Sequence, residues 1–189
     1  MRLLPSCPFC REPLPRTDEE FDRQMMKRLE ANDQMAMCQK AAEERDKGHH
    51  SSAFECWTKA AELGSAHAHY LLSVMYNEGE GLEKDEGKYI HHLEEAAIGG
   101  HPGARHDLGH KEWKQGNFER AVKHWIFAAT QEDDDAIKAL MGAFKKGYVS
   151  KEDLAAALRA HKAEVDETKS PQREAAEEYQ RLRSRLGLG

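Results

Sequence analysis

Ala60-Ala61-Glu62-Leu63-Gly64 returns thirty-six residues later as Ala96-Ala97-Ile98-Gly99-Gly100, and a degenerate third copy, Ala128-Ala129-Thr130-Gln131-Glu132, follows after a further thirty-two. Self-similarity at a spacing in this range marks a chain of stacked helical hairpins. A second register keeps step with the first: Ala36, Ala68, Ala104 and Ala136 are separated by 32, 36 and 32 residues. Two registers that agree, one opening and one closing each unit, argue against alanines scattered by chance through an ordinary bundle. The expected fold class is therefore all-α, an α/α superhelical solenoid of antiparallel helical hairpins, with about four hairpins over residues 34–165.

The apolar spacing within each unit has the helical period. In the second copy, Ala68, Leu71, Leu72, Met75 and Tyr76 make one stripe. Ala104, Leu108 and Trp113 do so in the third copy, and Ala136, Ile137, Leu140 and Phe144 in the fourth. The first copy is the poorest, with Ala36, Met37, Ala41 and Ala42. Gly48, Gly79, Gly116 and Gly147 end these first helices, since glycine takes the left-handed conformation at little steric cost. Second helices follow at once, carrying Ala53, Phe54, Trp57, Ala60 and Ala61 in copy one, and Phe118, Ala121, Val122, Trp125, Ile126, Ala128 and Ala129 in copy three. The second copy has four extra residues in its turn, Asn77 to Asp85, which accounts for the change of period from 32 to 36; Asp85 is placed to cap the next helix.

Tyr76-x-x-Gly79-x-Gly81-Leu82-x-x-Asp85, followed by Leu93-x-x-Ala96-Ala97, resembles the Sel-one-like repeat, a relative of the tetratricopeptide repeat. The resemblance spans roughly residues 34 to 165 and is strongest in the second copy. Tyr89-Ile90-His91-His92-Leu93 departs from the aromatic-rich pair usual there, and the fourth copy lacks the closing Ala-Ala signature, as a capping repeat would. The resemblance implies a superhelix that serves as a scaffold in protein complexes, with no catalytic residue to carry over.

Composition agrees. Charged residues make up 33% and hydrophobic ones 39% of 189 residues, a polar balance suited to thin helical layers with much surface. A net charge of −6 argues against nucleic acid as the main partner. No apolar run approaches the roughly 18–20 residues that span a bilayer, so no membrane partner is expected. Met1-Arg2-Leu3-Leu4-Pro5 is too short and too soon polar for a secretory signal, and Cys38 and Cys56 stand alone within helical patterns. The expected compartment is reducing: the cytoplasm, with the nucleus compatible.

Cys7-Pro8-Phe9-Cys10 is the metal-like motif of the chain. Two thiolates at this spacing grip one zinc from a tight turn, but a closed site needs four ligands. The motif resembles the last ligand pair of a RING finger, and Arg11-Glu12-Pro13-Leu14-Pro15 continues it in kind. Residues 1–16 are then a finger remnant or a disordered tail; either the sequence begins inside the finger or the ancestral finger has been lost. The resemblance implies recruitment of a ubiquitin-conjugating enzyme, with zinc at Cys7 and Cys10 only if the finger is complete; otherwise no cofactor is expected.

Thr17-Asp18-Glu19-Glu20 opens a capping helix over residues 17–33, with Phe21, Met25 and Leu29 on its apolar side. His106 and His110 lie four apart on one helix, a spacing that presents two imidazoles together, and His92 and His124 occupy equivalent positions in their second helices. Neither a nucleophile elbow nor a phosphate-cradling loop is present, so no enzyme activity is expected. Ser150 and Asp153 start a further helix; residues 166–189 read as a charged tail, partly helical, broken near Pro171 and carrying Arg181, Arg183 and Arg185. The expected function is a protein-interaction scaffold that takes a protein or peptide in a concave groove lined by His69, Ser73, Arg105, Lys111 and Lys138. The alternative is a RING-type ubiquitin ligase whose repeats recruit substrate.

Overall fold

The structure is a computed structural model that describes residues 17–131 and 133–168. Among the described residues there are nine α-helices and no strand. The chain divides after Gly99 into two compact units.

The first unit holds α1 (Asp18–Glu30), α2 (Gln34–Asp46), α3 (His50–Glu62), α4 (Ala66–Glu78) and α5 (Glu86–Ile98). Polar caps start these helices where the sequence places them. The Thr17 hydroxyl accepts from the Glu20 N–H at 3.2 Å, and the Asp33 carboxylate accepts from Met35 and Ala36 at 2.9 and 3.2 Å. Ser65 and Asp85 do the same for Ala68 and Lys88. Such caps satisfy amides that have no partner within the helix, at about 1 kcal/mol each. At the other end of α2, Gly48 takes φ +81°, so its N–H reaches Arg45 O and the His49 N–H reaches Glu44 O, both at 2.8 Å. This pair of hydrogen bonds closes the last turn and reverses the chain into α3. Asn32, at φ +56°, makes the same turn after α1.

Helices α2 and α3, and α4 and α5, pair as hairpins, and α3 packs on α4. Ala41, Ala53, Ala60 and Ala68 are completely buried between them. With only a methyl at those positions the backbones come close, and Trp57, Leu72 and Met75 fill the space beside the seam. Removing a buried indole such as Trp57 costs about 3–5 kcal/mol in a core of this kind. Cys38 is buried with its sulfur 3.7 Å from the Ser65 hydroxyl, and burial pushes its thiol pKa up. α1 packs on α2 and buries Met25, whereas Phe21 and Met26 stay exposed.

The second unit holds α6 (Pro102–Lys114), α7 (Phe118–Ala129), α8 (Asp134–Lys145) and α9 (Lys151–Thr168). Ala104, Ala121, Ala128 and Ala136 repeat the buried seam. Gly109 extends it: a Cβ there would collide with the Trp125 indole, 2.6 Å from Cδ1. The indole thereby lies against α6 and donates to His106 O at 3.2 Å. Asp133 caps α8 through the Asp135 and Ala136 amides, both at 2.9 Å. The last hairpin departs from the expected pattern. α9 packs on both α7 and α8, with the two ring nitrogens of His161 2.8 Å from Ala129 O and 3.1 Å from Asp134 Oδ1. Phe144, expected in the buried stripe of α8, is 39% exposed, and Ala143 takes the inner position instead. α9 runs to Thr168, past residue 165; the charged segment from Glu174 to Leu186 lies outside the described residues.

Two alanine substitutions separate the roles of the glycines. Gly64 has φ +88° and nothing within 4 Å of an added Cβ, so Gly64→Ala costs about 1 kcal/mol of left-handed strain. Gly109→Ala overpacks the seam against Trp125; about 1–3 kcal/mol of steric cost outweighs the 0.5–1 kcal/mol that alanine gains in a helix. Urea unfolding read by fluorescence should show Trp125 emission displaced in native Gly109→Ala and unchanged in native Gly64→Ala. A Gly109→Ala protein as stable as wild type would refute the close approach.

Candidate functional site

The four extra residues of the second hairpin help to build a concavity in the first unit. After α4, Gly79 and Gly81 both adopt positive φ, +74° and +73°, and Asp85 N–H returns to Tyr76 O at 3.2 Å. The loop between them is seated on the first turn of α3. Gly81 lies so close to His50 that a Cβ would collide with the His50 side chain, 2.8 Å from Cγ, and Glu80 sits 3.5 Å from His50 Nδ1. Docked there, the loop encloses a cleft of about 650 Å³. Phe54, Tyr76 and Leu82 form its apolar lining; Lys84 and Lys88 stand around it together with the carboxylates of Glu55, Glu83 and Asp85. Phe54 meets Tyr76 edge to face, with centroids 6.0 Å apart, and the Lys88 ammonium lies 5.1 Å from the Tyr76 centroid. An apolar floor with charges at its edge suits an amphipathic segment.

Behind Tyr76 the site is held by histidines. His92 stacks parallel on Tyr76, 7° between planes and 5.6 Å between centroids, and its Nδ1 lies 3.0 Å from Nδ1 of His69 on α4. A hydrogen bond at that distance needs one nitrogen protonated and the other bare, so the two rings are not both charged when it forms. Burial pushes His92 down to about 4, with the positive charge of His69 and His91 adding to the effect, Glu95 opposing it and Lys88 adding slightly. Burial lowers His69 as well.

The five residues expected to line a groove differ in their placement. Ser73 is fully buried, its hydroxyl donating to Tyr70 O at 2.6 Å, and it reaches no partner. The register carries the reason: Ala41, Ser73 and Gly109 are equivalent and each is buried, so this position belongs to the seam that small residues require. His69 turns to its own hairpin partner, His92. Arg105 does likewise in the second unit, its guanidinium 4.6 Å over the Phe127 ring of α7. Lys111 is half-buried. Lys138 is exposed and pairs with Asp135 at 2.6 Å. Cys7 and Cys10, and with them the zinc-finger reading, lie outside the described residues. Tyr76, Leu82 and Lys88 went unread as a site because the same loop residues also explain the turn; the insertion itself was the available signal.

No protein-family model matches the sequence, and no curated protein matches it. Solved structures do match. A Sel1 repeat protein from Oxalobacter formigenes aligns with a TM-score of 0.58 at 24% identity, over 65% of this chain and 98% of that one. A protective antigen of uropathogenic Escherichia coli strains, described as displaying an SLR fold, aligns with a TM-score of 0.60 at 23% identity over 78% of this chain. The fold is that of the Sel1-like repeat. It is an all-α helical-repeat solenoid fold, and at these identities the likeness is one of fold alone. The chain covers the whole of the first neighbour, 98%, but only 33% of the second. Among the described residues no helix is long and apolar enough to cross a membrane, and no group of three or more His, Cys, Asp or Glu side chains is placed to hold a metal ion.

The histidine pair gives the Sel1-like hairpin α4–α5 an acid-sensitive joint. The folded pKa of His92 lies below the unfolded value of 6.5, so the unfolded state binds more protons between the two. Stability is then fully present above pH 6.5 and falls as pH drops towards about 4. Because the rings are only partly buried, solvent screening limits the effect, and a Tm loss of about 2 °C is expected between pH 6.5 and 5.5. Circular dichroism melts across that range should show a shallower loss in His92→Gln; equal slopes would remove His92 as the source.

Proposed function

We propose that the chain is a protein-interaction scaffold, and that the cleft beside Tyr76 receives part of an extended segment of its partner. Support comes from the fold, since stacked hairpins offer extended surface for binding, and above all from the cleft itself. The Phe54–Tyr76–Leu82 floor is fixed from below by stacked His92 and from the side by a loop wedged against α3. A site ordered before its ligand arrives avoids part of the entropic cost of binding. Lys84 and Lys88, beside Glu55, Glu83 and Asp85, supply charge of both signs at its edge, and exposed Lys138 is a candidate for a contact in the other unit. The ligase alternative has only Cys7-Pro8-Phe9-Cys10 behind it, and nothing among the described residues supports it.

The test uses the full chain as immobilised bait in extracts of its source cell, beside a Lys84→Glu/Lys88→Glu bait of matched circular dichroism and Tm. Proteins retained by the first and reduced at least about tenfold on the second are expected, a loss of roughly 1.4 kcal/mol in affinity. A set held equally by both baits overturns the cleft as the contact. A wild-type bait that holds nothing beyond blank resin overturns the scaffold.

A further inference from the structure

On α6 two imidazoles converge. His106 Nε2 and His110 Nε2 lie 3.1 Å apart, their rings nearly perpendicular at 85°. Two zinc–nitrogen bonds of about 2.0–2.1 Å at a tetrahedral angle place their nitrogens about 3.3 Å apart. The observed separation needs only a few tenths of an ångström of opening to admit an ion. Asp107 Oδ1 stands 3.5 Å from the other ring nitrogen of His106, Nδ1, and so draws the ring proton to that side and leaves the Nε2 lone pair directed at His110. A carboxylate in this relation to a ligating histidine fixes both tautomer and ring orientation.

The pair is also held in place. Trp125, admitted by Gly109, donates to His106 O at 3.2 Å and so ties down the turn of α6 that carries the first ring. The second ring packs edge-on against the same indole, with centroids 5.2 Å apart. His110 is nonetheless exposed and the His106 side chain is 19% exposed, so an ion reaches both from solvent. Asp107, Asp133 and Asp135 bring negative charge to His106; Lys114 acts in the opposite sense at His110.

We propose that His106 and His110 chelate one divalent transition ion of the zinc, nickel or copper(II) class, with Asp107 as the positioning residue. No third side chain completes the set among the described residues, so the remaining coordination positions belong to water or to an incoming donor. The site is open and exchangeable, unlike the four-ligand closed sites that hold small domains together. Imidazole donors select these ions over magnesium and calcium, which prefer oxygen.

The test is calorimetric titration of the tag-free full chain with zinc chloride, in a Cys7→Ser/Cys10→Ser background so that the thiol pair takes up no ion. One equivalent should be lost in His110→Ala, an exposed position where folding is checked by circular dichroism, and lost again in His106→Ala. Asp107→Asn should weaken it by about tenfold, and magnesium chloride should give no uptake. Zinc uptake by His110→Ala equal to that of its parent, or no uptake by the parent, overturns the site; Asp107→Asn binding as tightly as the parent overturns the positioning role.

Discussion

The close approach of helix to helix over side chains no larger than a methyl governs everything else in this molecule. Ala36, Ala41, Ala53, Ala60, Ala68, Ala96, Ala104, Ala121, Ala128 and Ala136 are all completely buried. Individually they contribute little apolar area. Their value is geometric, because a larger residue at any of them would separate the backbones and leave Trp57 or Trp125 without a close-packed wall. Where the approach is tightest even a methyl is too large, and Gly109 stands there. The cleft of the first unit and the histidine pair of the second both depend on this spacing, since each is built from side chains that the seam presses to its margin.

The fold was legible because its two requirements write themselves into sequence. The seam demands small residues at a fixed spacing, which the Ala-Ala pairs record. The turns demand residues that tolerate positive φ, and Gly48, Gly79, Gly116 and Gly147 all adopt it where the pattern placed them. The fourth hairpin was read less well. Phe144 has helical spacing from Leu140, yet α9 leans on α7 as well as α8 and leaves that ring exposed. Nothing in a local period announces which neighbours a terminal helix will choose.

The candidate site was only partly legible, for a different reason. A first helix that meets helices on more than one side buries residues around much of its circumference: Ala68, Leu72, Ser73, Met75 and Tyr76 on α4 occupy a broad arc. The remaining free face is narrow, and a reading displaced by one residue, about 100° of rotation, moves from solvent into the seam. Ser73 was misread in that way, and the polar character of its hydroxyl encouraged the error, although the hydroxyl is satisfied within its own helix by Tyr70 O. His69 and Arg105 face their hairpin partners for the same geometric reason. The cleft depends on the docking of a loop on α3, a tertiary event that no periodicity encodes.

The double hydrogen bonds that close the helices at Gly48, Gly64, Gly116 and Gly147 join residues only three to five apart, and the hairpins they create join helices adjacent in the chain. Little of the structure therefore waits for distant parts of the polypeptide to meet, and the loop-closure entropy of assembly is small. A chain of this kind can acquire its hairpins in order as it leaves the ribosome, each pair closing between helices that are already neighbours in sequence.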